Sequence, residues 1–105
     1  MKETEKEEIE IDLTSELNHF LIKDLENTIK NTPYHRQKEI PQFRFIESIL
    51  KKCKEKKPRF FSARECSTIS GFLNQRFVQT KKSEYEKILN MFHKGLSDWE
   101  KKFVN

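Results

Sequence analysis

Apolar residues recur at the three- and four-residue spacing of an amphipathic helix in four stretches of this chain. In the first stretch, leucine or isoleucine stands at every fourth position from Leu13 to Ile29. The four predicted helices cover about residues 14–31, 41–56, 63–79 and 84–103. Prolines stand only at positions 33, 41 and 58, where this periodicity stops or starts. The pattern predicts an all-α fold, a small four-helix bundle that forms one domain over residues 14–105.

Two of these helices have start signals in the sequence. Ser62 and Glu65 have the spacing of a capping box, in which each residue's side chain binds the backbone N–H of the other. Phe61, just before the cap, has the position of a hydrophobic staple. Ser83 and Glu86 repeat the capping-box spacing. These signals predict helix starts at the residues that follow positions 62 and 83.

The second and third helices are predicted to form an antiparallel hairpin. If the turn is centred near residues 59–60, two residues face each other when their residue numbers add up to about 119. The facing pairs, apolar on both sides, are then Cys53 with Cys66, Leu50 with Ile69, Ile46 with Leu73 and Phe43 with Phe77. The two cysteines of this hairpin are either a disulfide or redox pair, or two buried thiols that pack as small apolar residues.

The fourth helix carries a heptad seam. Its members are Tyr85, Leu89, Phe92, Leu96, Trp99 and Phe103. The seam either packs on the other three helices, or pairs with a second copy of the chain or a partner helix, with Trp99 and Phe103 as the anchors. Because it keeps its phase through Gly95, it predicts a continuous helix. A break at Gly95 would make five helices in all.

The first 13 residues form an acidic segment ahead of the predicted domain. Ile9, Ile11 and Leu13 alternate with acids, which is the period of a strand. No partner strand is apparent in the sequence, so we expect this segment to be extended or to begin the first helix.

Charge is distributed unevenly around the net value of +4. Residues 1–26 contain nine acids and three lysines, whereas residues 27–105 contain 18 bases and eight acids. A domain with this excess of positive charge attracts polyanions. The acidic segment would either fold back on the basic surface and weaken its field, or serve as a solubilising tail.

The densest basic run lies at the end of the second predicted helix. It consists of Lys51, Lys52, Lys54, Lys56, Lys57 and Arg59, and Phe60 follows it directly. Cations beside an exposed aromatic ring are what phosphate binding and base stacking require. Cations near a helix C-terminus also complement the helix dipole, which is the structural alternative.

Catalytic and metal-binding patterns are not apparent. The capping serines belong to no nucleophile motif, and the cysteines and histidines lack zinc-ligand spacing, so we expect no enzyme activity, cofactor or metal. No stretch has the ~20 apolar residues of a membrane span, and residues 1–8 lack the apolar core of a secretory signal. We therefore expect a cytoplasmic protein without a membrane partner.

Two functional classes remain. The first is a small nucleic-acid-binding or regulatory protein that uses the basic run and Phe60 for phosphate contacts. The second is a protein–protein interaction module, such as an adaptor, a subunit, an inhibitor or an immunity-type protein. Its contact surfaces would be the acidic residues 1–26 and the Trp99–Phe103 end of the fourth helix, which is also the surface for self-association.

Overall fold

A computed structural model describes residues 7–56 and 58–104 of the chain, the last two by their backbone only. Its elements in chain order are β1 (Ile9–Glu10), α1 (Ser15–Asn31), α2 (Tyr34–Glu39), α3 (Phe43–Lys54), β2 (Phe60–Phe61), α4 (Ala63–Thr80) and α5 (Ser83–Val104). The chain is 77% helical, which confirms the predicted all-α fold class. No helix in the described part of the chain is long and apolar enough to cross a membrane.

Each of the four predicted helices has a counterpart whose ends lie within two residues of the expected positions. The fifth helix within the described ranges is α2, which the sequence pattern did not indicate. The chain does not break at Gly95, since α5 runs through it without interruption. The fifth helix is therefore α2, and it does not arise from a break of the last helix at Gly95.

Local capping follows the sequence signal at Ser62 but not the one at Ser83, because α5 begins at Ser83 itself and not at the residue after it. Thr14 accepts a hydrogen bond from the backbone N–H of Leu17 at 3.2 Å, which caps α1. Both hydrogen bonds of the predicted capping box are present at the start of α4, between Ser62 and Glu65. Lys81 ends α4 in the left-handed backbone region, with φ of 62°, and its N–H donates to the carbonyl of Phe77.

The core lies where the long helices meet. It contains the inward faces of α1, α3, α4 and α5, with Leu21, Ile49, Ile69 and Phe92 fully buried. The seam of α5 packs within the chain, because Tyr85 and Phe92 are buried and Leu89, Leu96 and Trp99 pack against the same core.

The acidic segment adds a strand to this helical fold. Ile9 and Glu10 pair antiparallel with Phe61 and Phe60, and the N–H of Ile11 donates to the carbonyl of Arg59 at 3.2 Å. The structure thus supplies the partner strand that the sequence did not reveal. The alternation seen in the sequence is therefore that of a strand, not of an early helix start.

Gly95 allows this strand to approach α5. A Cβ atom at this position would lie well inside van der Waals contact of Ile11 Cδ1 and 3.0 Å from the carbonyl oxygen of Glu10. A larger residue would require the side chain of Ile11 and the backbone of Glu10 to shift. The glycine is therefore explained by close packing and not by a helix end.

The contacts between α3 and α4 fit the predicted hairpin at its closed end. Lys52, in the last turn of α3, lies 2.5 Å from the carboxylate of Glu65 in the first turn of α4. The C-terminal half of α3 thus lies beside the N-terminal turn of α4. The individual apolar pairs remain predictions.

Candidate nucleic-acid interface

Positive charge is concentrated in one segment of the fold. Residues 30–59 contain ten bases and three acids, whereas residues 60–105 contain eight bases and five acids. This basic segment covers the end of α1, all of α2 and α3, and the connection to β2. By formal charge, α2, α3 and the connection to β2 therefore form the most basic part of the chain.

Helix α3 is divided into a buried and an exposed face. Phe43, Ile46, Ile49 and Cys53 point into the core. The exposed residues are Arg44, Glu47, Lys51 and Lys54. Since Arg44 and Lys51 are seven residues apart, as are Glu47 and Lys54, these side chains share one side of the helix. The outward face of α3 thus carries three cations and one acid.

Phe60 is held at the surface by the strand that contains it. Neighbouring residues of a strand point to opposite sides. Phe61 is fully buried, and its ring packs edge-to-face on Phe92 at 5.4 Å between ring centroids. Phe60 must therefore point outward, and 41% of it is exposed. Its exposure results from the β1–β2 register, which sequence reasoning did not use.

Lys52 differs from its neighbours because its side chain is only 12% exposed. Its ammonium lies 2.5 Å from the carboxylate of Glu65 and 3.0 Å from that of Glu7. Glu65 is itself buried, and also accepts hydrogen bonds from the Ser48 hydroxyl and the Ser62 N–H. A phosphate group would have to compete with two carboxylates for Lys52, so this lysine mainly holds α3 against α4.

Two further residues of the basic run have partners within the fold. Lys54 lies 2.8 Å from the carboxylate of Glu26, and this hydrogen bond and charge lower the pKa of Glu26. Both side chains are about half exposed, so the pair is accessible to solvent. Arg59 is half-buried, and its Nε donates to the carbonyl of Glu55 at 3.1 Å.

Lys51 and Lys56 are the most accessible members of the predicted site. Both are exposed, and neither forms an ion pair with any residue that the structure describes. Lys57 lies outside the described residues. The structure therefore exposes Lys51, Lys54 and Lys56 in the segment that leads to the exposed Phe60, and it pairs Lys52 with buried and acidic groups instead.

The cysteines are placed where reactive chemistry is disfavoured. Cys53 and Cys66 are free thiols with almost no exposed surface. Burial raises the pKa of each to about 12, so both are protonated at neutral pH. Among residues 7–56 and 58–104, no group of three or more histidine, cysteine or acidic side chains could hold a metal ion.

The predicted partner interface lies elsewhere. Trp99 is half-buried and lines a groove of about 440 Å³ between α3, α4 and α5, together with Phe45, Ala63 and Leu96. Arg64 is exposed at the edge of this groove. The side chain of Phe103 lies outside the described residues.

Sequence reasoning missed the cations and the aromatic ring of α2. The six residues of this helix contain no apolar periodicity, so the only available signal was Pro33 before the polar run Tyr34–Glu39.

No protein-family model, curated protein or solved structure matches this chain.

Proposed function

We propose that this chain is a non-enzymatic binding protein that contacts nucleic acid through Lys51, Lys54 and Lys56. The three lysines neutralise backbone phosphates, and Phe60 stacks on an unpaired base. Single strands are the preferred ligand, because the bases of a duplex are stacked on each other and offer no free face to Phe60.

The observation that carries this proposal is the outward position of Phe60, which follows the exposed Lys56 closely in the chain. An aromatic ring that is 41% exposed contributes little to the core, while its neighbour Phe61 supplies the buried contact. Cations and an accessible ring on one surface are the two components of a sequence-tolerant single-strand site.

The contacts predict the size of the salt effect. Three neutralised phosphates on a single strand give a slope of about −2 for log affinity against log salt. Raising the salt from about 50 to about 200 mM should then weaken binding by roughly 20-fold. Base stacking on Phe60 should contribute about 1–3 kcal/mol.

The test is a fluorescence titration of mixed-sequence single-stranded and duplex oligonucleotides at about 50 and 200 mM salt. The first variant carries Lys51→Glu, Lys54→Glu and Lys56→Glu. The matched control carries three charge reversals at the exposed α5 lysines 87, 94 and 101, so that the net charge is the same. Circular dichroism checks that both variants are folded.

We expect the parent protein to bind single strands more tightly than duplex, and the first variant to lose more affinity than the control. Phe60→Ala should weaken single-strand binding without changing the salt slope. Equal losses in the two charge variants would mean that net charge alone drives binding. No binding by the parent protein at the lower salt would overturn the proposal.

We place this activity in the cytoplasm, because two free thiols are typical of a reducing compartment.

Self-association through α5 stays a prediction, which sedimentation at several protein concentrations would check.

The groove at Trp99 favours a second candidate, a protein partner that docks as an amphipathic helix. Its apolar face would contact Phe45 and Trp99, and an acidic residue beside that face would pair with Arg64, which carries no ion pair with any described residue. Trp99 is the single tryptophan, so its emission reports on this groove directly.

A synthetic helical peptide with leucines on one face and glutamates beside them tests this candidate. The expected result is a saturable shift of the Trp99 emission that Arg64→Glu weakens. An unchanged emission across the titration would reject the candidate.

A further inference from the structure

Helix α2 is attached to the fold by few contacts. None of its six residues is buried. Its side-chain link to the preceding helix is Gln37, whose amide donates to the carbonyls of Ile29 at 3.3 Å and Thr32 at 2.9 Å. A helix this short is not stable by itself, and burial does not explain its composition.

The side chains of α2 and the residues after it form an exposed surface of aromatic, apolar and basic groups. Tyr34 is 71% exposed, and the ammonium of Lys38 lies 4.6 Å from the centre of its ring. Ile40 is also exposed. These residues and Arg44 surround a shallow pocket of about 310 Å³.

Lys38 and Arg44 form no ion pair with any described residue. Arg36 and Glu39 face each other at 3.7 Å, but both are largely exposed, so this pair is weak. The α2 surface therefore has cations available for phosphate and a ring available for stacking, as the Phe60 surface does.

We propose that α2 is a second contact for the same single strand, with Tyr34 as its stacking platform and Lys38 and Arg44 as its phosphate ligands. This inference rests on the function proposed above. A strand bound at Phe60 would follow the outward face of α3 to reach Tyr34. Charge favours this occupant, because the basic segment that joins the two surfaces contains ten bases and three acids.

The geometry of α3 sets the length of the ligand. From Arg44 to Lys54 the helix rises about 15 Å, since each residue adds about 1.5 Å. At about 3.4 Å per stacked nucleotide, a strand of about four nucleotides spans roughly 10 Å and stays short of this distance, whereas one of about 12 spans roughly 37 Å and exceeds it. Binding of a longer strand should therefore depend on both rings.

The experiment measures binding of fluorescein-labelled oligothymidylates of about four and 12 nucleotides at roughly 50 mM salt. It compares the parent protein with Tyr34→Ala, Phe60→Ala and the control Val78→Ala, which removes an exposed apolar side chain from α4 outside the basic segment. Thermal unfolding of each variant checks that the fold is intact, which is expected for Tyr34 because α2 contributes no core residue.

We expect Tyr34→Ala to weaken binding of the longer strand about fivefold or more and that of the shorter strand less than about twofold. Val78→Ala should change neither. If the longer strand binds and depends on Phe60 but not on Tyr34, the α2 inference is wrong and the proposed function stands. If the parent protein binds neither strand, both are wrong.

Discussion

Replacing Gly95 with alanine tests how closely the acidic strand is packed. In an exposed helix interior this change stabilises by about 1 kcal/mol, because glycine pays more backbone entropy. At Gly95 the added Cβ would collide with Ile11 Cδ1 and stand 3.0 Å from the backbone oxygen of Glu10. Ile11 is only 2% exposed, so its side chain has little room to move. Overpacking of this kind costs about 1–3 kcal/mol.

Gly71 provides the matched control. It also lies within a helix, but a Cβ there would meet no atom within 4 Å. Gly71→Ala should therefore stabilise the protein by about 1 kcal/mol, with a rise of about 4–8 °C in melting temperature. The difference between the two variants isolates the collision, and we expect it to be about 1–3 kcal/mol in favour of Gly71→Ala.

Urea unfolding followed by circular dichroism at 222 nm gives both free energies of unfolding. Equal slopes against urea would show that the changes lie in stability and not in the extent of unfolding. If Gly95→Ala stabilises the protein as much as Gly71→Ala, the close packing of β1 on α5 is wrong.

Three further outcomes are expected. Glu65→Gln should lower the free energy of unfolding by about 2 kcal/mol at pH 7, because the largely buried ammonium of Lys52 loses the nearer of its two carboxylate partners, and an unchanged urea midpoint would contradict this. Because burial raises the pKa of Cys53 and Cys66 from 9.0 to about 12, their contribution to stability is complete below pH 9 and is lost as the pH rises towards 12. Ionisation of each thiol should lower the free energy of unfolding by about 1.4 kcal/mol per pH unit in that pH window. The variant with both cysteines replaced by alanine, unfolded in urea in reducing buffer, should lose less stability over the same pH range. Neutralising the exposed acids with Glu8→Gln and Glu10→Gln should tighten single-strand binding about twofold or more at roughly 50 mM salt, and unchanged affinity would show that they do not oppose the ligand.

The long helices could be predicted because their signals are local. The four-residue repeat from Leu13 to Ile29 and the capping box at Ser62 depend on residues within a few positions of each other. Such patterns determine which face of a helix is apolar and where the helix starts, without knowledge of distant residues. The all-α class follows from them, whereas the choice between inward packing and self-association of the α5 seam stayed open until the structure placed the seam against the core.

The β1–β2 pair could not be found in the same way. Its partner, Phe60–Phe61, is two residues long and lies between Pro58 and the cap of α4, so it carries no alternation of its own. The role of Gly95 depends on this pairing, and its sequence context alone indicates either a helix end or a helix interior. Both features arise from tertiary contacts between residues far apart in sequence.

Only part of the candidate site could be predicted. The sequence correctly indicated that Phe60 is more exposed than Phe61, since the staple position requires the latter to be buried. It could not separate Lys52 from Lys51, because that depends on which side of α3 faces the buried Glu65. The α2 surface was missed because an exposed helix without core residues leaves no hydrophobic pattern.

The acidic strand belongs to the fold and to the candidate site at the same time. Its alternation places Ile9 and Ile11 in the core, with Leu13 after them, while Glu10 is exposed opposite Phe60. Full burial of three such aliphatic side chains contributes about 5–9 kcal/mol, which is comparable to the total stability of a small domain. Detaching the strand would expose these side chains again, and the entropy that its residues regain would offset part of this cost. While the strand is paired, its exposed acids are fixed charges, and we expect them to oppose any polyanion on the basic surface by an amount that salt and distance set.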